Sequence, residues 1–582
     1  MEETMKYLEL YNKWLSDKRL NAEAKAELES IKDDKNTEYG IEYRFGAELE
    51  FGTAGMRGII GYGTNMMNVY TVKRATQGLA EFVKTLGADA MKRGVVISYD
   101  TRLKSEVFAA AAAEVLAAND ITAYVFDEVH PVPMLSFAVR CLKTVAGIMI
   151  TASHNPKQYN GYKVYGADGA QMSPEDTDVV VDFIKKIDDY LGAPSPTAEQ
   201  RKKFIKAVSS KVDKKYYKEL TKLTLSKKAV KECGKDLKLV YTPVHGSGYI
   251  PVTTILKKIG INATVVEEQT RRDTDFSTVE VPNPEFKETL SLGIKYAERI
   301  GATVVFGTDP DSDRLGVAVK NKDGEFEALS GNQVGILLLD YILTRLTEDG
   351  KLPANAAVVK SFVTTGMAKA LCDKYKVTLF EVPVGFKFIG EKIKIWEKTH
   401  EYTYVFGFEE SCGYLRGTHA RDKDAVVASM LTAEMVCYYT SIGKTVFQRL
   451  QEIYSELGYV LDCNISIPFK GLNAMKEMNA VVDGLKETPA TSFGLYKVAT
   501  VRDYSKNVKT DVATGTTSEI EKDFPKVNCV YYELENGSFV CVRPSGTEPK
   551  LKIYFSVKSR NKQEAEGQLE QLQSAAKAML GK

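Results

Sequence analysis

The sequence predicts a protein of the α/β class, with three similar mixed α/β domains and a smaller C-terminal α+β domain around one central cleft. Its 582 residues exceed what a single hydrophobic core organises. Strand-like and helix-like runs alternate in the order β-α-β-α-β three times, and this alternation is lost from about residue 455. Each repeat ends in a strand followed by a polar loop, and such loops gather at one edge of an open sheet.

A charged, amphipathic helical segment over residues 1–40 precedes the first repeat. The first repeat has strands at 95–99, 121–126 and 147–151 and helices at 105–118 and 133–142. The second has strands at 237–241, 262–266 and 302–306 and helices at 249–259 and 286–300. The third has strands at 356–359, 377–382 and 402–406 and helices at 367–375 and 388–398. The pattern therefore predicts domains over residues 1–205, 206–325, 326–455 and 456–582.

The overall charge is almost balanced, with 78 Lys and Arg residues against 77 Asp and Glu residues and a formal net charge of +1. Because this balance gives no basic field, neither nucleic acid nor a membrane is expected as a partner. No apolar stretch is long enough to span a bilayer, and the N-terminus lacks the apolar region of a secretory signal. The eight cysteines form no CxxC pair, which favours reduced thiols in the cytoplasm.

The segment Thr151-Ala-Ser-His-Asn-Pro-Lys157 is the first loop with distinctive chemistry. It follows the apolar run 146–150, so a strand delivers Ser153 to a turn rich in Asn, Pro and Gly. His154 and Lys163 lie close to it along the chain. On its own the loop also fits a capped turn, but two further polar loops after strands favour a phosphoryl-transfer site.

The segment Gly307-Thr-Asp-Pro-Asp-Ser-Asp-Arg-Leu-Gly316 places carboxylates at alternate positions, at Asp309, Asp311 and Asp313. Three carboxylates on one loop provide the hard oxygen ligands that a divalent cation such as Mg²⁺ prefers. The loop is not an EF-hand, because Arg314 stands in place of the turn glycine and Lys320 stands in place of the bidentate glutamate. The remaining alternative is a solvated acidic turn.

Two later loops offer complementary groups. Arg543-Pro-Ser-Gly-Thr547 combines a guanidinium with two hydroxyls and a glycine, which suits a phosphate, although an ordinary turn has the same composition. Gly407-Phe-Glu-Glu-Ser-Cys-Gly-Tyr414 offers two carboxylates and a hydroxyl that suit sugar hydroxyl groups. Alone, this loop also fits a helix-capping segment. Together with the serine and the aspartates, the loops predict phosphoryl transfer through a phosphoserine.

In sequence order, the motifs Thr-Ala-Ser-His-Asn-Pro-Lys, Asp-Pro-Asp-Ser-Asp-Arg, Glu-Glu-Ser and Arg-Pro-Ser-Gly-Thr-Glu-Pro resemble the four signatures of the α-D-phosphohexomutases. The resemblance covers essentially the whole chain. The length and the spelling around Glu409 resemble the long-chain branch, which contains bacterial phosphoglucomutases and animal phosphopentomutases. The bacterial phosphoglucomutases are the members that the chain resembles most.

The resemblance implies a role for each matching residue. Ser153 would carry the phosphoryl group, and a phosphoserine oxygen with Asp309, Asp311 and Asp313 would bind one Mg²⁺ per chain. Proton transfer and orientation at the reacting oxygen would fall to Lys163, Arg57, His154 and Arg314. Sugar hydroxyls would be held by Glu409 and Ser411, and the sugar or its phosphate would be read by Lys387 and Lys423. The non-reacting phosphate would be held by Arg543, Ser545, Gly546 and Thr547.

The implied activity is the reversible interconversion of glucose 1-phosphate and glucose 6-phosphate through a glucose 1,6-bisphosphate intermediate, which also acts as activator. The partners are then small sugar phosphates, and the protein is expected to be a cytoplasmic monomer or homodimer. Two alternatives stay open: the same mechanism on a mannose or pentose phosphate, and a non-catalytic regulator that binds sugar phosphates. The intact Ser153, the three aspartates and Arg543 argue against the regulator.

Overall fold

The computed structural model describes residues 2–32, 39–52, 55–469, 474–522, 524–545 and 550–580. The chain forms two compact units. The first consists of Met1–Leu329, Ile389–Thr399 and Cys412–Ser441, and the second of Ser330–Phe388, His400–Ser411 and Ile442–Lys582.

Three helices open the first unit: α1 (Glu2–Ser16), α2 (Ala22–Ser30) and α3 (Ile41–Phe45). They surround Trp14, which is buried and makes edge-on ring contacts with Phe45 and Tyr70. The side chain of Asn21 caps α2 by accepting a hydrogen bond from the amide of Ala24. The predicted helical segment at the N-terminus is therefore confirmed as two helices joined by a short turn.

A six-stranded mixed sheet follows, in the order β1-β5-β4-β2-β3-β6. Its strands are β1 (Gly55–Ile59), β2 (Val95–Tyr99), β3 (Ala123–Val125), β4 (Ala146–Ile150), β5 (Tyr159–Gly166) and β6 (Ile205–Ala207). Its helices are α4 (Val69–Thr85), α5 (Ala88–Arg93), α6 (Ser105–Ala118), α7 (Val132–Leu142), α8 (Pro174–Lys185) and α9 (Ala198–Phe204). The central strands β2 and β4 are fully buried, as their continuous apolar runs predict.

The second sheet of this unit has the order β11-β10-β9-β7-β8. Its strands are β7 (Leu239–Thr242), β8 (Thr264–Val265), β9 (Val304–Thr308), β10 (Leu315–Lys320) and β11 (Phe326–Leu329). Its helices are α10 (Lys211–Lys222), α11 (Lys227–Cys233), α12 (Tyr249–Ile259) and α13 (Lys287–Ile300). The antiparallel hairpin β9–β10 carries the acidic segment between its strands.

The second unit contains a third sheet, in which β12 lies between β13 and β14 and all three strands are parallel. Its strands are β12 (Ala356–Ser361), β13 (Thr378–Val382) and β14 (Thr403–Glu409), and its helices are α14 (Gly331–Glu348) and α15 (Met367–Tyr375). Helix α16 (Phe386–Thr399) begins in this unit, and its residues from Ile389 onward belong to the first unit. Helix α14 packs closely on β14 at Gly335, where a Cβ atom would lie 2.2 Å from the ring of Phe408. The chain continues with β15 (Gly413–Leu415) and the buried helix α17 (Ala425–Ser441) of the first unit.

The fourth sheet belongs to the second unit, with β17 paired to β18 beside the order β16-β23-β22-β21-β18-β19-β20. Its strands are β16 (Tyr459–Pro468), β17 (Ser492–Phe493), β18 (Tyr496–Asp503), β19 (Val508–Asp511), β20 (Thr517–Glu519), β21 (Val530–Leu534), β22 (Phe539–Pro544) and β23 (Lys550–Ser559). Its helices are α19 (Ala474–Glu487) and α20 (Lys562–Met579). Helix α18 (Val446–Leu457) precedes this sheet in the chain and contacts α14, α15 and β16.

The predicted fold class is confirmed: three mixed α/β sheets with helices precede a C-terminal α+β domain. All fifteen predicted strands and helices of the repeats are present, with ends shifted by up to three residues. The sequence interpretation did not predict several further elements, among them the helices α4, α8, α10, α14 and α17 and the strands β1, β5, β10 and β11. Among the described residues, no single helix is long and apolar enough to cross a bilayer; α17 and α18 meet that test only when counted together.

Candidate active site

The serine loop begins where β4 ends and turns sharply at Ser153. Ser153 is buried and has a left-handed backbone with φ of 52°, which a non-glycine residue rarely adopts. Its amide donates to Thr151 Oγ1 over 2.8 Å, and its hydroxyl donates to Asp309 Oδ2 over 2.8 Å. The predicted nucleophile and the predicted metal loop are thus in direct contact within the first unit.

His154 and Arg57 complete the serine loop. The Nδ1 atom of His154 lies 3.2 Å from Ser153 Oγ. Burial, followed by the positive charges of Arg314 and Arg57, lowers the pKa of His154 well below its usual value. Arg57 lies on β1 opposite Gly161 of β5, and its guanidinium donates to Asn155 Oδ1 over 2.8 Å. This imidazole is therefore neutral near pH 7, and Arg57 supplies the positive charge.

The three aspartates form a compact acidic cluster after β9. One ligand oxygen from each of Asp309, Asp311 and Asp313 lies within 4.8 Å of the others, and all three side chains are buried. The amides of Asp313 and Arg314 donate to Asp309 Oδ1 over 3.1 and 3.0 Å. Asp311 Oδ1 and Asp313 Oδ1 have no hydrogen-bond partner among the described residues. Because buried carboxylate oxygens need a partner, the donor set fits a divalent cation.

The charges of these aspartates are strongly coupled. Burial, together with the negative charges of Asp311 and Asp313, raises the pKa of Asp309 well above its usual value. Burial and the charge of Asp311 also raise the pKa of Asp313. Burial acts in the same direction on Asp311, but Lys163 outweighs it and lowers the pKa of that carboxyl. The cluster therefore favours a positive charge beside its carboxylates.

Three predicted cations lie beside the cluster. Lys163 Nζ is 2.9 Å from Asp311 Oδ2, and Lys423 Nζ is 3.1 Å from Asp313 Oδ2. Lys423 reaches this position because Gly413 has no side chain; a Cβ atom there would lie 2.3 Å from Lys423 Cδ. Arg314 donates to Glu285 Oε1 over 2.8 Å, and its Nε lies 4.0 Å from Asp313 Oδ1.

A turn over residues 243–247, which the sequence interpretation missed, contacts the backbone of the metal loop. The amide and the hydroxyl of Ser247 both donate to the carbonyl of Pro310 over 2.8 Å. Val244 and His245, in the same turn, are both left-handed, with φ of 46° and 59°. A valine in this conformation stores about 1–3 kcal/mol of strain, which persists only where surrounding contacts impose it. The only local sign of this turn is the sequence Pro-Val-His-Gly-Ser at residues 243–247.

The predicted sugar loop lies in the second unit and starts from the last residue of β14. Glu409 Oε1 accepts a hydrogen bond of 2.7 Å from the amide of Gly385, directly before α16. Glu410, which had no predicted role, accepts from Ser361 Oγ and Thr364 Oγ1 over 3.0 and 3.1 Å. The helix-capping alternative is wrong, because residues 410–424, all described, contain no helix start.

Lys387 and Ser411 belong to the same part of the second unit. Lys387 lies in the first turn of α16, with its Nζ 5.2 Å from the ring centre of Phe388. Ser411 is partly exposed, two residues beyond the end of β14. Both predicted residues therefore lie at the carboxyl end of the third sheet, as the strand-then-loop pattern predicts.

The predicted phosphate loop joins β22 to β23 in the fourth sheet. Arg543 lies on β22, and its Nη2 donates to Tyr554 OH over 3.4 Å. The amide of Ser545 donates to the carbonyl of Lys550 over 2.8 Å and closes the base of the loop. Gly546 and Thr547 lie outside the described residues. The single cleft shared by all four loops stays a prediction.

The chain matches four family models in sequence order. They are described as phosphoglucomutase/phosphomannomutase alpha/beta/alpha domains I, II and III, over residues 48–191, 214–324 and 330–457, and the C-terminal domain over 477–572.

Similar curated proteins carry the name phosphoglucomutase. The protein of a bovine strain of Staphylococcus aureus is 36% identical over 527 residues, covering 90% of this chain and 92% of its own. That of Staphylococcus epidermidis is 37% identical over 535 residues, covering 90% of this chain and 94% of its own.

Solved structures share the fold. A putative phosphomannomutase from Thermus thermophilus has a TM-score of 0.65 at 23% identity, covering 91% of this chain and 99% of its own. The open form of pp63/parafusin from Paramecium has a TM-score of 0.67 at 16% identity, covering 92% and 96%. With four domain models matched in order and curated relatives above one-third identity over nine-tenths of its length, the chain belongs to the phosphoglucomutase/phosphomannomutase family.

Proposed function

We propose that this protein is a phosphoglucomutase that interconverts glucose 1-phosphate and glucose 6-phosphate through a phosphoserine at Ser153 and a glucose 1,6-bisphosphate intermediate. The observation that carries the proposal is the 2.8 Å contact between the hydroxyl of Ser153 and Asp309 of the acidic cluster. It brings a candidate nucleophile and a candidate metal site together. The curated relatives named phosphoglucomutase support glucose as the sugar.

In the first transfer, a hydroxyl oxygen of the sugar phosphate attacks the phosphorus on Ser153. The bond between that oxygen and phosphorus forms, the bond between phosphorus and Ser153 Oγ breaks, and the hydroxyl proton passes to a base. Lys163 is our candidate for the group that moves this proton, because its Nζ lies 2.9 Å from Asp311 beside the serine loop. The uncharged amine would accept the proton of the attacking hydroxyl, and the ammonium would donate a proton to the oxygen that leaves. In the second transfer the turned bisphosphate returns its other phosphoryl group to Ser153, and Lys163 returns the proton.

Asp309, Asp311 and Asp313, with an oxygen of the phosphoserine, would hold Mg²⁺. When bound, Mg²⁺ neutralises charge that develops on the transferred phosphoryl oxygens. Arg57 and His154 border the same loop, and the positive charge of Arg57 helps to hold the phosphoryl group. Arg314 orients the loop through its amide, which donates to Asp309.

The loops of the third and fourth sheets are our candidates for binding the sugar and its non-reacting phosphate. The carboxylate of Glu409 would accept hydrogen bonds from sugar hydroxyls, and the hydroxyl of Ser411 would donate or accept them. Lys387 would bind the sugar or its phosphate. Lys423, which lies beside the metal loop, would also bind the sugar or its phosphate. The non-reacting phosphate would be bound by Arg543, Ser545, Gly546 and Thr547. Glucose 1,6-bisphosphate is the expected activator, because it places a phosphoryl group on Ser153.

A coupled assay tests this proposal. Glucose 1-phosphate, mannose 1-phosphate and ribose 1-phosphate are compared by kcat/KM with Mg²⁺ and a catalytic amount of the matching bisphosphate. The proposal predicts the highest value for glucose 1-phosphate; preference for another sugar would overturn the substrate, and inactivity with all three would overturn the mutase. The Ser153→Ala variant should lose turnover while the exposed-site control Ser492→Ala keeps it.

A further inference from the structure

A buried arginine, Arg102, packs against the backbone of the serine loop. The side chain of Arg102 is completely buried, and its guanidinium donates to four backbone carbonyls of one loop. Nη2 lies 2.5 Å from the carbonyl oxygens of Ser153 and Asn155, and Nη1 lies 3.0 and 3.1 Å from those of Pro156 and Tyr159. All four acceptors belong to the segment that carries the predicted nucleophile, so this guanidinium defines the path of that segment.

Asp100 compensates the buried charge and extends the network. Its Oδ2 lies 3.5 Å from Arg102 Nε, and its Oδ1 accepts from the amide of Arg102 and from Ser105 Oγ over 3.0 and 2.7 Å. Thr151 Oγ1 donates to Asp100 Oδ2 over 2.6 Å and accepts from the amide of Ser153 over 2.8 Å. The hydroxyl of Thr151 thus links the carboxylate of Asp100 to the amide of Ser153.

The two contacts hold Ser153 from both sides. Thr151 fixes its amide and Arg102 fixes its carbonyl, so both peptide groups that set its backbone are restrained. The left-handed φ of 52° is costly for serine and persists only where neighbouring groups impose it. This conformation also directs the hydroxyl of Ser153 to Asp309.

We infer that Arg102 and Thr151 are positioning residues, which hold Ser153 in the left-handed conformation that aligns its oxygen for phosphoryl transfer. This inference rests on the proposed function. The hydrogen bonds of both residues go to the serine loop and to Asp100, so both residues act on the position of the reacting oxygen. Misplacing a reacting group by about 1 Å costs about 100-fold in rate.

The test compares Thr151→Val, which removes the hydroxyl at nearly constant volume, with Thr151→Ser, which keeps it. Thr151→Val should lower kcat about 100-fold and leave KM within about threefold. Thr151→Ser should retain kcat within about threefold. Thr432→Val is the matched control, because Thr432 is equally buried in α17, and it should keep full activity. Arg102→Lys should resemble Thr151→Val, since one ammonium cannot reach four carbonyls.

A second readout does not depend on turnover. Purified, dephosphorylated protein is mixed with glucose 1,6-bisphosphate, and phosphorylation of Ser153 is followed by mass spectrometry. Thr151→Val should be phosphorylated about 100-fold more slowly than wild type, with an unchanged circular dichroism spectrum. Wild-type rates in Thr151→Val, or an equal change in KM, would overturn the inference alone. Failure of wild type to phosphorylate Ser153 would overturn the proposed function and the inference with it.

Discussion

Replacing Gly246 by alanine tests the support of the metal loop. A Cβ atom at this position would lie 2.7 Å from Pro310 Cα and 2.9 Å from the carbonyl oxygen of Asp309. Both contacts are with backbone, so no side-chain rotation relieves them. The loop carrying Asp309, Asp311 and Asp313 must therefore move.

The size of the movement follows from ordinary contact distances. Carbon atoms pack at about 3.5 Å or more, so Pro310 must shift by about 0.8 Å. Mg²⁺ demands ligands at about 2.0–2.1 Å, and metal sites tolerate displacements of only about 0.2 Å. We therefore expect Mg²⁺ affinity to fall about 10–100-fold, equivalent to about 1.4–2.7 kcal/mol of binding free energy. The overpacking should cost a further ~1–3 kcal/mol of folding stability.

The assay is calorimetric titration of Mg²⁺ into chelator-treated, dephosphorylated protein. Gly484→Ala is the matched control: Gly484 lies in α19, and a Cβ atom added there would have no neighbour within 4 Å among the described residues. This control should bind Mg²⁺ as wild type does and gain about 0.5–1 kcal/mol of stability. If Gly246→Ala keeps its Mg²⁺ affinity within about twofold, the turn does not position the metal loop and the reasoning is refuted.

Three further predictions concern other contacts. Arg543→Ala should raise KM for the sugar phosphate about 10-fold or more, because a charged contact is lost; steady-state kinetics with unchanged KM would contradict the phosphate loop. Burial raises the pKa of Asp462 to about 6, so the folded state holds its proton more tightly. The stability that this proton provides is complete below the unfolded pKa and is lost as pH rises through about 6. Because the rise of this pKa from 3.8 to about 6 corresponds to about 3 kcal/mol, Asp462→Asn should gain about 3 kcal/mol relative to wild type between acid and neutral pH in urea unfolding. Gly413→Ala should displace Lys423 from Asp313 and lower kcat, while an unchanged kcat would remove Lys423 from the reacting centre.

Much of the fold was predictable because buried strands and helices leave local patterns. Continuous apolar runs identified β2, β4 and β9, and the polar loops after them identified Ser153 and the aspartates. Helix α17 escaped this reasoning, since it is apolar on nearly every side and lacks an amphipathic period. Its burial on nearly every side identifies it as an interior helix, and this burial is visible only in the structure.

The supporting contacts of the site could not be predicted, because they join residues far apart in the chain. Arg102 and Ser153 are separated by 51 residues, and Ser247 and Pro310 by 63. Lys423 stood near the sugar loop in the sequence, yet its ammonium lies beside Asp313. No local pattern marks such partners; only the tertiary fold brings them together.

The most direct measurement of the central claim is transfer of labelled phosphoryl from glucose 1,6-bisphosphate to the protein, followed by peptide mapping. The account predicts label on the peptide containing Ser153, dependence on Mg²⁺, and loss of label on adding glucose 1-phosphate. Ser153→Ala should take no label. Label on another residue, or full turnover by Ser153→Ala, would contradict the account.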